Sequence, residues 1–153
     1  MKSVVALLCL LLASTTMHAQ TRKPMTVRGD FDVRVIPQPA DDPAGGPFGR
    51  LLLDKRFHGQ LDATSKGTML AARTAVEGSA GYVALEIVSG TLDGRQGSFI
   101  LQHMGIMAKG VATLTVTVVP DSGTGQLTGI AGRMTIIIAD GKHSYELEYT
   151  LGT

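Results

Sequence analysis

The 153-residue sequence contains no tryptophan, no asparagine and a single cysteine, Cys9. Without asparagine it has no acceptor for N-linked glycosylation and no asparagine side chain that could bind a ligand or stabilise an oxyanion. A lone cysteine cannot form an intramolecular disulfide bond. Charges of the two signs nearly balance, with 14 lysines and arginines against 13 aspartates and glutamates. The chain therefore lacks the basic excess of proteins that bind nucleic acids in general, and we expect no nucleic-acid partner.

The first twenty residues follow the pattern of a cleavable secretory signal. Lys2 precedes a run over 4–13 that is apolar apart from Cys9, and small and polar residues then lead to Ala19. This run is too short for a bilayer, which needs roughly 20 apolar residues. We predict a signal peptide over 1–19, export to the periplasm or the extracellular space, and no membrane insertion after cleavage. An uncleaved anchor or a buried N-terminal helix is the alternative.

The remaining chain, 20–153, has the length of one domain and the pattern of β-strands. From Thr26 onward, Val27, Phe31 and Val33 alternate with charged residues, which is the period of two expected for a strand with one buried face. Further strands are predicted over 51–58, 60–73, 82–92, 98–109, 112–119, 133–139 and 144–151. Glycine-rich breakers separate them, and Asp140-Gly141 is typical of a two-residue hairpin turn.

No sustained helical period follows the signal segment. The one helix candidate, 63–76, contains three threonines and Gly67, which disfavour a helix. About eight short strands with short connections indicate a closed barrel or a sandwich. Closure would remove exposed sheet edges, and glycines within strands suit the bends of a small barrel. We therefore predict an all-β fold, a closed antiparallel barrel.

Four stretches of the chain resemble a known family. They are Asp54-Lys55-Arg56-Phe57-His58-Gly59, Gly78-Ser79-Ala80-Gly81-Tyr82, Gly97-Ser98-Phe99-Ile100-Leu101-Gln102-His103 and Val119-Pro120-Asp121-Ser122-Gly123-Thr124-Gly125. They are similar to a family of uncharacterised bacterial proteins assigned to the allene-oxide-cyclase-like barrels, the architecture that dirigent proteins also use. The resemblance covers residues 25–151. It implies an eight-stranded barrel, allows a homo-oligomer and carries no established activity.

The chemistry of the plant cyclases is not transferable to this chain. Those enzymes use asparagine and cysteine residues in the barrel lumen, and the predicted mature chain has neither. The glycine-rich segment 123–129 has the wrong spacing for a dinucleotide-binding loop and no predicted helix after it. Three histidines, His58, His103 and His143, lie on separate strands without local ligand spacing. We predict neither a metal site nor a cofactor.

Polar residues on otherwise apolar strand faces are the candidates for a site. Lys55 shares a face with Leu53 and Phe57, so inside a barrel it would need a carboxylate partner. Glu86 is the predicted partner, with Glu77 and Asp62 as substitutes. The predicted lumenal ligand-binding residues are Lys55, Ser65, Tyr82, Glu86, Gln102 and His103.

Three functions remain open from the sequence. The first is binding of a small, mostly apolar molecule in the barrel lumen. The second is an isomerase or cyclase that positions its substrate and transfers protons through Lys55, Glu86 and His103. The third is a non-catalytic interaction protein that assembles through the sides of the barrel. For each polar residue, a purely structural role is the competing interpretation, because small barrels fill their interior with side chains.

Overall fold

The computed structural model describes residues 23–39 and 46–152 as one closed, antiparallel, eight-stranded barrel in which each strand pairs with its neighbours in chain order. The predicted fold class is confirmed. The predicted signal peptide lies outside the described residues. The strands are β1 (Met25–Pro37), β2 (Phe48–Gly59), β3 (Leu61–Arg73), β4 (Ala80–Leu92), β5 (Arg95–Ala108), β6 (Val111–Val118), β7 (Ala131–Ala139) and β8 (Lys142–Thr150).

Tight turns join most of the strands, as the glycine signals predict. The β4–β5 turn places Asp93 at φ 51° and Gly94 at φ 78°, and the β7–β8 turn places Asp140 at φ 51° and Gly141 at φ 74°. Two consecutive residues with positive φ match the right-handed twist of the hairpin strands. Aspartate followed by glycine adopts this conformation readily, which explains the Asp-Gly dipeptides. Because such a turn takes only two residues, β5 begins at Arg95, three residues before its predicted start.

One end of the barrel is packed with apolar side chains. At this closed end lie the last residues of β2 and the first residues of β3, and Phe57, Leu61 and Leu92 are essentially inaccessible to solvent. The β6–β7 connection crosses the barrel at this closed end and includes a short 3-10 turn, Gly125–Leu127. Leu127 and Ile130 from this connection are each 1% exposed and belong to the core. The glycine-rich segment 123–129 is therefore part of a plug that covers the closed end.

At the opposite end, residues 23–39 and 46–152 leave the barrel open. Side chains that point inward by strand alternation are solvent-exposed there: Val35 is 47% exposed, Leu114 39% and Ile138 66%. Strands β6 and β7 pair at one position only, Thr117 with Arg133, although both strands pair fully with their other neighbours. The wall therefore has its weakest seam beside the open end.

The described part of the chain contains no helix long and apolar enough to cross a membrane.

Candidate functional site

Four polar side chains lie inside the barrel where the packed half meets the open half. Lys55 on β2, Ser65 on β3, Glu86 on β4 and His103 on β5 are between 1% and 6% exposed. Strand pairing places Lys55 directly opposite Ser65. Each belongs to the buried, alternate-residue face of its strand. The period of two therefore directs all four side chains into the lumen.

Glu86 is the centre of this cluster. Its Oε1 atom lies 2.8 Å from Lys55 Nζ and 2.9 Å from His103 Nε2. Its Oε2 atom accepts a hydrogen bond of 2.7 Å from Ser65 Oγ. The predicted Lys55–Glu86 pair is present, whereas Glu77 is exposed in the β3–β4 connection and Asp62 pairs with Arg56 on the outer face. By accepting these three hydrogen bonds, the Glu86 carboxylate on β4 ties its own strand to β2, β3 and β5.

The surroundings of Glu86 keep it ionised. Burial alone would raise its pKa, but the hydrogen bond from His103 and the positive charge of Lys55 outweigh burial and lower the pKa to about 2. An ionised carboxylate accepts hydrogen bonds only, so Nε2 of His103 must carry the proton that it donates. Lys55 and Glu86 then form a neutral pair inside the barrel.

A glycine makes room for Glu86. Gly67 is paired with Glu86 across β3 and β4. A Cβ atom at position 67 would lie 2.6 Å from the Cβ of Glu86 and 2.6 Å from the carbonyl oxygen of Leu85. Real side chains do not approach so closely, so any other residue at position 67 would displace the glutamate.

The ammonium group of Lys55 is only partly satisfied by hydrogen bonds. It is able to donate three, and Glu86 is its hydrogen-bond partner among residues 23–39 and 46–152. Nζ also lies 5.2 Å from the ring centre of Phe31 and 5.8 Å from that of Phe57, within the range of cation–π attraction. The two rings stabilise the positive charge but accept no conventional hydrogen bond. The Lys55 ammonium group is therefore able to donate a further hydrogen bond to an oxygen atom of a ligand.

Tyr82 and Gln102 are the other two predicted lumenal ligand-binding residues, and only Tyr82 faces the lumen. Tyr82 is partly buried and its ring covers Gly105, where a Cβ atom would lie 2.1 Å from Cε1 of the tyrosine. Burial, and secondarily the negative charge of Glu86, raise the pKa of Tyr82. Gln102 instead lies exposed on the outer face. Its prediction as lumenal is wrong, because neighbouring residues of a strand point to opposite faces and His103 points inward.

Two hollows lie at the open end. One, of about 440 Å³, is lined in part by Pro37, Leu51 and Met69 from β1, β2 and β3. The other, of about 580 Å³, lies beside the β7–β8 turn and reaches Phe31, whose ring contacts His143. Its lining also includes Asp30, Asp32 and His58 from the outer face, so the second hollow lies across the edge of the barrel wall.

Within residues 23–39 and 46–152 no group of three or more histidine, cysteine, aspartate or glutamate side chains has an arrangement that would hold a metal ion. What the cluster offers is one ammonium group, one carboxylate, one imidazole and one hydroxyl on apolar walls. This combination suits recognition of a polar atom on an otherwise apolar molecule.

The open mouth of the barrel is not predictable from the sequence. The mouth comprises inward-pointing apolar residues near the strand ends: Val33, Val35, Leu51, Met69, Leu114, Ile136 and Ile138. The sequence shows that these residues occupy alternate positions along their strands. It does not show which end of the barrel is covered, because that depends on the plug in the β6–β7 connection and on the single pairing between β6 and β7. Neither feature leaves a local signal.

Residues 27–149 match the model of a family described as "Protein of unknown function (DUF3224)". The chain is also similar to a crystal structure of a protein of unknown function from the DUF3224 family of Shewanella oneidensis MR-1, with 50% identity and a TM-score of 0.80. That match covers 86% of this chain and 99% of the other. No curated protein matches the chain. The family of uncharacterised proteins is thereby supported, while the allene-oxide-cyclase-like assignment stays a prediction.

Proposed function

The chain belongs to the DUF3224 family, and we propose that its barrel binds a small, mostly apolar molecule that bears one uncharged oxygen acceptor. The apolar part occupies the open end of the lumen, and the oxygen accepts a hydrogen bond from Lys55. The observation that carries the proposal is the position of a buried ammonium group, with Glu86 as its hydrogen-bond partner among the described residues, below exposed, inward-pointing apolar side chains.

The apolar mouth supports the apolar part of this ligand. Inward-pointing Val35, Leu114 and Ile138 expose 39–66% of their surface. Covering apolar surface is favourable by about 25 cal/mol per Å². A ligand that fills the mouth removes this surface from water without rearranging the packed half of the barrel.

Charge balance supports an uncharged head group. Lys55 and ionised Glu86 already neutralise each other. A carboxylate brought next to them would add a buried negative charge without its own counter-ion, which is unfavourable in a medium of low polarity. A ketone, aldehyde or ester carbonyl accepts the same hydrogen bond without that penalty.

The test compares three ligands of equal chain length: 2-decanone, decane and decanoate. We expect 2-decanone to bind at least tenfold more tightly than either of the others in calorimetric titrations at pH 7. In NMR spectra of the labelled protein, signals of inward residues such as Leu51, Met69 and Ile138 should shift. Native mass spectrometry of the protein from its own cells adds an unbiased readout, a bound mass that is lost on denaturation.

The variant for this test is Lys55→Met/Glu86→Gln, which removes both charges and so avoids an unpaired buried ion. It should bind 2-decanone and decane with similar affinity. Lys66→Met is the matched control, because Lys66 lies on the outer face and pairs with Asp54; it should keep the preference for the ketone. Equal affinity of the unaltered protein for all three compounds, or shifts confined to outward residues, would refute the proposal.

A proton-transferring isomerase is the second candidate, favoured by the convergence of Lys55, Glu86 and His103. Glu86 is a weak proton acceptor because its pKa is about 2. Proton transfer would therefore fall to His103. Deuterium exchange at the carbons next to the carbonyl of 2-decanone, faster with the protein than with His103→Gln, would support this function; equal rates would exclude it for this substrate.

A further inference from the structure

The outer surface of the barrel has two contrasting sides. On one side, ion pairs join exposed side chains across strands, such as Arg28 with Glu146 and Arg133 with Glu148. On the other side, exposed apolar residues form a continuous patch over β3, β4 and β5 together with the start of β2. The apolar patch consists of Phe48, Leu70, Val83, Leu85, Ile87, Met104 and Ile106, which are 44–63% exposed.

Strand pairing makes this patch continuous. Val83 pairs with Leu70 on one side and Met104 on the other, so these three outward side chains form one row across the sheet. The neighbouring row contains Leu85, which pairs with the uncharged residues Thr68 and Gln102. None of the seven members is charged, and neither are these two intervening residues.

The size of the apolar patch exceeds that of an ordinary monomer surface. With each side chain about half exposed, the seven present on the order of 700 Å² of apolar area, above the roughly 300–600 Å² of the largest patch on a typical monomer. A standard protein interface buries about 600–1,000 Å² on each partner. The patch is therefore large enough for a stable interface between two proteins.

The shape of the patch is suited to pairing with itself. Ala72 and Gly81 are paired with each other between Phe48 and Ile106, and this row of two small residues between two large ones forms a hollow of about 320 Å³. Leu85 stands on the same surface and is 56% exposed. One surface thus carries both a hollow and a protruding side chain, as a two-fold interface requires.

We propose that the apolar patch binds a second copy of this chain, so that two barrels pack through the outer faces of β3, β4 and β5. The apolar centre of the patch favours this partner, because interfaces between identical chains are more apolar than those between different proteins. The charged residues Arg50 and Lys66, which pair with Leu70 and Ile87, lie at its rim. In such a dimer the ion-paired sides of both barrels stay free, and Phe48, which also lines the hollow of about 440 Å³, brings the interface to the rim of the open end. The proposal is independent of ligand binding in the lumen.

Sedimentation velocity of the protein purified after expression of the full chain tests the proposal. The unaltered protein should sediment as at least two copies at 50 µM, and Leu85→Lys should raise the dissociation constant at least tenfold. Ile137→Lys is the matched control, because Ile137 is 50% exposed on the outer face of β7, outside the patch; its assembly should be unchanged. Circular dichroism of all three proteins reports whether each is folded.

The proposal is overturned if the unaltered protein is a monomer at 200 µM, or if Leu85→Lys and Ile137→Lys have the same effect. A monomer that floats with phosphatidylglycerol vesicles, and loses this behaviour with Leu85→Lys, would assign the patch to a lipid surface instead. A more conservative variant, Leu85→Thr, keeps the test decisive if the lysine prevents folding. Threonine is well tolerated in strands, and it too should weaken the assembly.

Discussion

Replacement of Glu86 by glutamine gives the most direct test of the buried cluster. The glutamine keeps the size of the side chain but loses its charge, and the Lys55 ammonium group then stays buried without a counter-ion. Removing one partner of a buried ion pair costs about 3–5 kcal/mol. A domain of this kind has roughly 5–15 kcal/mol of stability in total. Glu86→Gln should therefore bring the protein close to its unfolding threshold.

Urea unfolding followed by circular dichroism at pH 7 measures this loss. With a denaturant slope of 1–3 kcal/mol/M, the midpoint should fall by roughly 2 M. The double variant Lys55→Met/Glu86→Gln should recover much of the stability, because no unpaired charge remains in the barrel. The difference between the single and double variants gives the coupling energy of the pair.

The matched control is Arg133→Gln/Glu148→Gln with its two single variants. This pair also joins two strands, but its side chains are 73% and 39% exposed. Exposed pairs contribute about 0–1 kcal/mol, so all three control variants should unfold within about 1 kcal/mol of the unaltered protein. A loss below 1 kcal/mol for Glu86→Gln would refute the account of the cluster as a buried, charge-balanced unit.

Two further predictions concern the same cluster. Folding lowers the pKa of Glu86 from its ordinary 4.5 to about 2. The unfolded chain therefore binds more protons than the folded protein between these pH values. About 3 kcal/mol of folding stability, present above pH 4.5, should be lost as the pH falls toward 2. Urea titrations at pH 7, 5, 4 and 3 should show this loss in the unaltered protein and a flatter profile in Glu86→Gln. Gly67→Ala should lower the midpoint of thermal unfolding by several degrees, since its Cβ would lie 2.6 Å from that of Glu86. Gly49→Ala, which meets nothing within 4 Å, should leave the midpoint nearly unchanged, and equal effects of the two alanines would contradict the close approach.

The sequence allowed the pairing of Lys55 with Glu86 to be predicted for a simple physical reason. A lysine on the apolar face of a strand requires a carboxylate partner. Because successive side chains of a strand point to opposite faces, few acidic residues of this chain fall on inward faces, and Glu86 is one of them. The same rule separates Gln102 from His103, because adjacent residues in a strand point to opposite faces. The prediction that Gln102 is lumenal is wrong because its face, which it shares with Ile100 and Met104, is the outer one. An apolar outer wall and an apolar inner wall have the same sequence pattern.

The open end was not predictable from individual strands. Leu114 and Val116 follow the same alternation on β6, yet one is 39% exposed and the other 2%. The difference arises from the single pairing between β6 and β7 and from the plug at the other end. Both depend on how distant segments meet, which propensity and periodicity do not specify.

The polar cluster and the open mouth are each unfavourable for a barrel whose only requirement is stability. A buried ion pair is often no better, and sometimes 1–4 kcal/mol worse, than well-packed apolar residues of similar volume. Exposed inward residues such as Leu114 and Ile138 lose the favourable burial that Leu61 and Leu92 have at the closed end. One occupant removes both penalties at once, because its apolar part covers the mouth and its oxygen uses the donor capacity of Lys55. Occupancy should therefore stabilise the open half against local unfolding more than the packed half, and hydrogen exchange of β6 and β7 amides, slowed by 2-decanone but not by decanoate, would detect it.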